Sequence, residues 1–214
     1  MIEKIPFTLF GLDLLEPMAM ITNLLVMFTC IYGYQKSKRS VLVYWNLFFG
    51  FFALASFFGG LSHLFWNYWD FNGKIAPWFF GVAATSALTY AMTKLFELSQ
   101  KTNKVIAAFI IIKGLTVLSL SYYHWNFLFV AIDTIASLLI ACGIGSAVLH
   151  FKLGNKPARF IFFGVLTILP SAFIFLFKFD LHRWMNREDL SHVFMALGLL
   201  FFVKFTVENS QSNS

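Results

Sequence analysis

Asn186-Arg187-Glu188-Asp189-Leu190-Ser191-His192 opens the last apolar run of the chain, which continues through Val193-Phe194-Met195-Ala196-Leu197-Gly198 to Val207. About twenty mainly apolar residues suffice to cross a bilayer. Residues 190–207 therefore read as a membrane helix with a histidine just inside its start. An ionisable side chain at such depth is expensive, which makes it a functional suspect by default. Its natural counterpart is Gly59-Gly60-Leu61-Ser62-His63, which closes an earlier run of the same kind. The rest of the chain either brings these two stretches together or supports them in lipid.

The composition agrees. Of 214 residues, 59% are hydrophobic and 12% charged, and the mean hydropathy is +0.74. A soluble domain carries about 25% charged residues, so a water-soluble fold is excluded. The net charge of +6 does not point to nucleic acid, because the Lys and Arg residues sit at the ends of apolar runs, where they set topology. The start, Met1-Ile2-Glu3-Lys4-Ile5-Pro6, lacks a basic segment followed by a short apolar core, so no cleaved signal peptide is expected. Cys30 and Cys142 lie inside apolar runs and read as small buried residues rather than a disulfide or a zinc site.

Seven runs are long enough to span: about 13–34, 41–66, 76–97, 105–123, 126–149, 159–178 and 190–207. The predicted fold is all-α, a seven-transmembrane-helix bundle forming one domain over residues 1–208, with a disordered polar tail at 209–214. Short connections make sequential helices antiparallel neighbours. The first, third and fifth connections are basic (Lys36, Lys38, Arg39; Lys94, Lys101, Lys104; Lys152, Lys156, Arg159). The positive-inside rule makes that face cytoplasmic, which puts the N-terminus outside and the C-terminus inside. Trp66, Tyr68, Trp69, Trp78, Tyr122, Tyr123, Trp125 and Trp184 flank the other connections and suit the headgroup level.

With this topology the unusual polar residues gather on the outer side: Asp13, Glu16 and Asn23 in the first span, Ser62 and His63 in the second, Asp70 beyond it, and Glu188, Asp189 and His192 in the seventh. Glu188 and His192 are four apart, so they share one helix face, and His63 can supply a third ligand. Two imidazoles and a carboxylate suit zinc with an open position for water, whose activation would supply hydroxide. The plainer reading has Glu188 complementing the helix dipole and His192 bonding a neighbouring helix. Gly59 and Gly60 read as packing glycines. Lys113 and Asp133 read as an intramembrane ion pair, and Pro170 as a kink in the sixth span. Lys204 reads as snorkelling to the surface, with a retinal Schiff base at Lys204 or Lys113 as the sharper alternative.

At these residues the chain resembles the alkaline ceramidase-like superfamily of seven-helix membrane hydrolases, which includes the progestin and adiponectin receptors and lipid-remodelling proteins acting on GPI anchors. That family has Ser-x3-His late in the second span, an Asp in or near the third and His-x3-His at the seventh. The three histidines bind zinc, the Asp assists the water and the Ser polarises the scissile carbonyl. Here His63 and His192 match, Gly59 stands at the serine, Glu188 at the first histidine of the last motif, and Asp70 precedes the third span. Gly-Gly-x-x-His at 59–63 and Asp-x-x-His at 189–192 also look like a bacterial branch of the superfamily. Glu16-Pro-Met-Ala-Met-Ile-Thr-Asn23 looks like the Glu-x6-Asn of ceramidases, where the Glu belongs to a calcium site.

The resemblance implies a zinc-dependent hydrolase cleaving an amide or ester bond of a membrane lipid. His63, Glu188 and His192 would hold the metal, Asp70 or Asp189 would act as base, and Ser62 would stand in for the family serine. The alternative is a receptor or sensor that binds a lipid or other apolar ligand without turnover. A bacterial inner membrane suits the short loops, and an endomembrane nearly as well.

Overall fold

A computed structural model describes residues 5–37 and 43–211; Lys38 and Arg39 of the first basic connection, the first four residues and 212–214 lie outside them. Seven helices are long and apolar enough to cross a membrane. They are α1 (Pro17–Ser37), α2 (Val43–Leu64), α3 (Trp66–Lys94), α4 (Gln100–His124), α5 (Leu128–Phe151), α6 (Ala158–Leu176) and α7 (Arg187–Gln211). Two are irregular. The third begins as one turn at Trp66–Trp69 and a 3-10 segment at Asp70–Lys74 before the regular helix from Ile75. The fifth passes through a π-helical stretch at Ser137–Ile144. Helix α6 continues through Pro170.

The chain begins differently from the sequence reading. Residues 6–15 form an antiparallel hairpin of β1 (Pro6–Leu9) and β2 (Leu12–Leu15), with Leu9 opposite Leu12. Its two-residue turn, Phe10-Gly11, has φ of 51° and 77°. A turn with both central residues at positive φ matches the twist of the strands, and glycine takes that conformation freely. Asp13 therefore belongs to an exposed strand and not to the first span. The hairpin is pinned at one end of the bundle, where the Asp13 amide donates to the Tyr68 hydroxyl at 3.0 Å and the Asn67 amide donates to the Asp13 carbonyl at 3.1 Å. Helix α1 starts only after Glu16, with Pro17 at its first position, where a missing N–H costs nothing.

Helix neighbours define a ring. α1 packs on α2 and α7, α2 on α3, α3 on α5, α5 on α6, and α6 on α7, while α4 lies outside against α3 and α5. The exposed residues of α4, such as Phe109, Ile111, Ile112 and Leu115, form a surface stable in hydrocarbon rather than water.

The end of the ring away from the hairpin is filled. Trp45, Phe49, Phe202 and Phe205 are fully buried, and Trp45 packs on Phe205 and Phe202 at centroid distances of 5.0 and 5.9 Å. Cys30 and Cys142 are buried free thiols. The polar tail begins later than its composition suggests, because α7 runs to Gln211 and Asn209 is buried. Trp78 is also buried, stacked on Tyr122 at 5.9 Å.

Between α6 and α7 the backbones touch. A methyl added at Gly198 would stand 2.8 Å from the Gly164 carbonyl oxygen, and one at Gly164 would stand 2.6 Å from the Phe202 ring. Small residues permit this approach. Gly198→Ala is expected to destabilise by about 1–3 kcal/mol, the range for overpacking. A thermal midpoint in detergent equal to the parent's would show that the two helices can part without loss.

Candidate functional site

At the hairpin end the ring is not filled. A cavity of about 410 Å³ falls in the ordinary range for small-molecule sites, and all six ring helices contribute to it. Its deeper wall is apolar, with Phe52, Leu138, Val165, Ile168 and Met195. Its shallow end carries His63, Lys74, Glu188 and His192.

His63 is the hub of that end. Its Nδ1 lies 2.9 Å from Glu16 Oε2, and its Nε2 lies 3.0 Å from Lys74 Nζ and 3.3 Å from Glu188 Oε2. The positive φ of Glu16 marks the bend between hairpin and α1 and brings its carboxylate beside the end of α2. Neutral imidazole satisfies the group, donating from Nδ1 to Glu16 and accepting from Lys74 at Nε2. The Lys74 ammonium also lies 5.7 Å from the centre of the Trp66 ring, within reach of a cation–π contact.

His192 belongs to a second group. Its Nδ1 is 3.2 Å from Thr22 Oγ1, and that hydroxyl lies 3.1 Å from Asp189 Oδ1. His192 Nδ1 faces the Thr22 hydroxyl, whose single proton is shared between the Asp189 carboxylate and the Met18 carbonyl at 3.0 Å. The start of α7 explains Asp189. Asn186 Oδ1 accepts from the amides of Glu188 and Asp189, and Asp189 Oδ2 accepts from the Asn186 amide at 3.1 Å. This is a reciprocal capping arrangement. Asn186 and Asp189 thus cap the helix, and the Glu188 side chain is released to face His63.

The structure therefore brings His63, Glu188 and His192 to one cavity, with Glu16 joined to His63. Asn23 lines the same wall, its amide donating to the Ala19 carbonyl. Ser62 donates to the Gly59 carbonyl at 2.7 Å. Asp70 is exposed and does not line the cavity. Among the described residues, no three His, Cys, Asp or Glu side chains converge as a ligand set for zinc or for calcium. As placed, His63 Nε2 faces an ammonium and His192 Nδ1 faces a hydroxyl, so these groups engage one another rather than surround a cation. Lys204 lies over the Phe160 ring at 4.5 Å and Lys113 pairs with Asp133, and neither lines the cavity.

Lys74 is the site residue that sequence reasoning passed over. A lysine in a short connection reads as a topology signal. Only the fold of residues 66–74 turns it back toward His63. The one available hint was that it is the single lysine of the second and fourth connections.

Fold and site together define a protein with seven helices long and apolar enough to cross a membrane, and a central cavity that is apolar in depth and ionisable at one end. The chain belongs to the family described as "Family of unknown function (DUF6962)", whose model matches residues 18–208. None of the curated proteins matches it.

Proposed function

We propose that the chain crosses the bilayer seven times and holds an amphiphilic lipid in its central cavity, acting as a receptor or sensor of that lipid. The apolar chain lies toward Phe52 and Leu138, and the polar head lies against His63, Lys74 and Glu188. The observation that carries this reading is the cavity itself, which joins an apolar depth to a charged mouth; ligand sites have this composition. The distribution of lysines and arginines orients the charged mouth outward, in a bacterial inner membrane. Binding is favoured over turnover because the candidate catalytic groups are otherwise engaged. Asp189 caps α7, Ser62 bonds its own helix, and Asp70 faces away.

A second reading, hydrolysis of a lipid amide or ester, is supported by one arrangement. Glu16 orients the His63 imidazole so that Nε2 faces the cavity beside Glu188, as carboxylates orient both catalytic and metal-binding histidines. Zinc held by His63, Glu188 and His192 would supply an activated water, and would require Lys74 to leave Nε2.

The test is to purify the protein in mild detergent, extract it, and analyse lipid and metal by mass spectrometry, beside Ala131→Phe. Ala131 lines the cavity, and a phenyl ring there removes space from it. One amphiphile at near-stoichiometric amount, absent from the filled variant, is the expected result. Free acid and amine or alcohol products, with zinc in the protein, would shift the reading to hydrolysis. Equal lipid in parent and variant would overturn both.

A further inference from the structure

Hydroxyl side chains within the helices mostly bond their own backbone. Thr29, Thr89, Thr134, Ser146 and Thr206 each donate to a carbonyl three or four residues earlier, the usual solution in apolar surroundings. Ser56 and Ser171 depart from it. Both line the cavity and are only 6% and 7% exposed, yet neither hydroxyl has a hydrogen-bond partner among the described residues. They stand on opposite walls, since α2 and α6 are separated in the ring by α3 and α5 on one side and by α1 and α7 on the other. Ser56 is seven residues from His63 on α2, which is about 10 Å along a helix.

A hydroxyl that opens on a cavity and bonds no protein group is free to bond a ligand there, and a ligand that covers it without bonding it pays the cost of an unpaired polar group. We infer that the cavity selects an amphiphile whose chain carries a hydroxyl or carbonyl oxygen about 10 Å from its head, held between Ser56 and Ser171. This rests on the lipid-binding reading and narrows its ligand class. A plain acyl chain leaves both hydroxyls unpaired. An oxygenated chain pairs them, and a site built to bond an oxygen rejects the analogue that lacks it.

The test compares two probes, stearate and a hydroxystearate with its hydroxyl at mid-chain, each as free acid and as glycerol monoester so that the head does not decide the result. Both are titrated into delipidated protein in nanodiscs, for the parent and for Ser56→Ala/Ser171→Ala. The parent is expected to prefer the hydroxylated chain about tenfold, the size of one to two net hydrogen bonds. The double variant should show no preference and bind stearate more tightly than the parent does, since no hydroxyl is left unpaired. Equal binding of both probes by the parent, as when water satisfies the serines, overturns the inference and leaves the lipid-binding reading standing. So does a preference that survives in the double variant. No binding of any probe, or binding that Ala131→Phe leaves unchanged, removes the lipid-binding reading and this inference with it.

Discussion

Lys113→Met alone is expected to destabilise the protein by about 3–5 kcal/mol, the range for a buried ion pair that loses one partner, whereas Lys113→Met combined with Asp133→Leu recovers most of that loss. Lys113 Nζ lies 2.5 Å from Asp133 Oδ1, and Thr85 donates to Asp133 Oδ2 at 2.7 Å. The Asp133 side chain is 3% exposed and that of Lys113 23%. Removing the lysine therefore leaves a carboxylate facing apolar helices with one hydroxyl for support. Removing both charges also removes both desolvation costs, so the double substitution is near neutral or favourable. Reversible unfolding of the two variants in detergent, followed by circular dichroism, measures the difference. If the double variant is as unstable as the single one, the pair contributes through packing and not through charge.

This pair was legible in the sequence because it needed only two intramembrane charges on consecutive antiparallel helices. The seven long apolar helices were legible for a similar reason, since about twenty apolar residues carry their own signal. What was not legible depended on backbone conformation. Pro6–Leu15 is apolar enough to read as the approach to a span, and Phe10-Gly11 lacks the Asn-Gly or Asp-Gly signature of a tight hairpin. Glu188 and Asp189 are adjacent acids at a helix start, and nothing in their order says which one caps. The backbone decides it, because the third residue of the helix reaches back to the cap while the second points sideways to His63. Ser56 and Ser171 carry no sequence signal at all. They differ from Thr134 and Ser191, which line the same cavity, in bonding no carbonyl of their own helix.

His63→Ala is expected to weaken retention of the bound amphiphile by about 30- to several thousand-fold, corresponding to 2–5 kcal/mol for truncating a hydrogen-bonded charged cluster. The imidazole joins Glu16 to Lys74 and Glu188 across the cavity mouth. Without it, Glu16 loses its bond to the site, and the head keeps only Lys74 and Glu188. His63→Gln offers a shorter amide that can still donate and accept, so it should lose less than alanine does. His124→Ala, at an exposed residue that does not line the cavity, controls for the loss of a histidine as such and should bind like the parent. Binding is read by displacement of the co-purified lipid, and circular dichroism reports whether each variant has folded. A folded His63→Ala protein that keeps its lipid at parental occupancy would place the head elsewhere. The Glu16–His63 contact would then serve to hold the hairpin against the bundle, since it links the end of β2 to the end of α2 and would keep its value with the cavity empty.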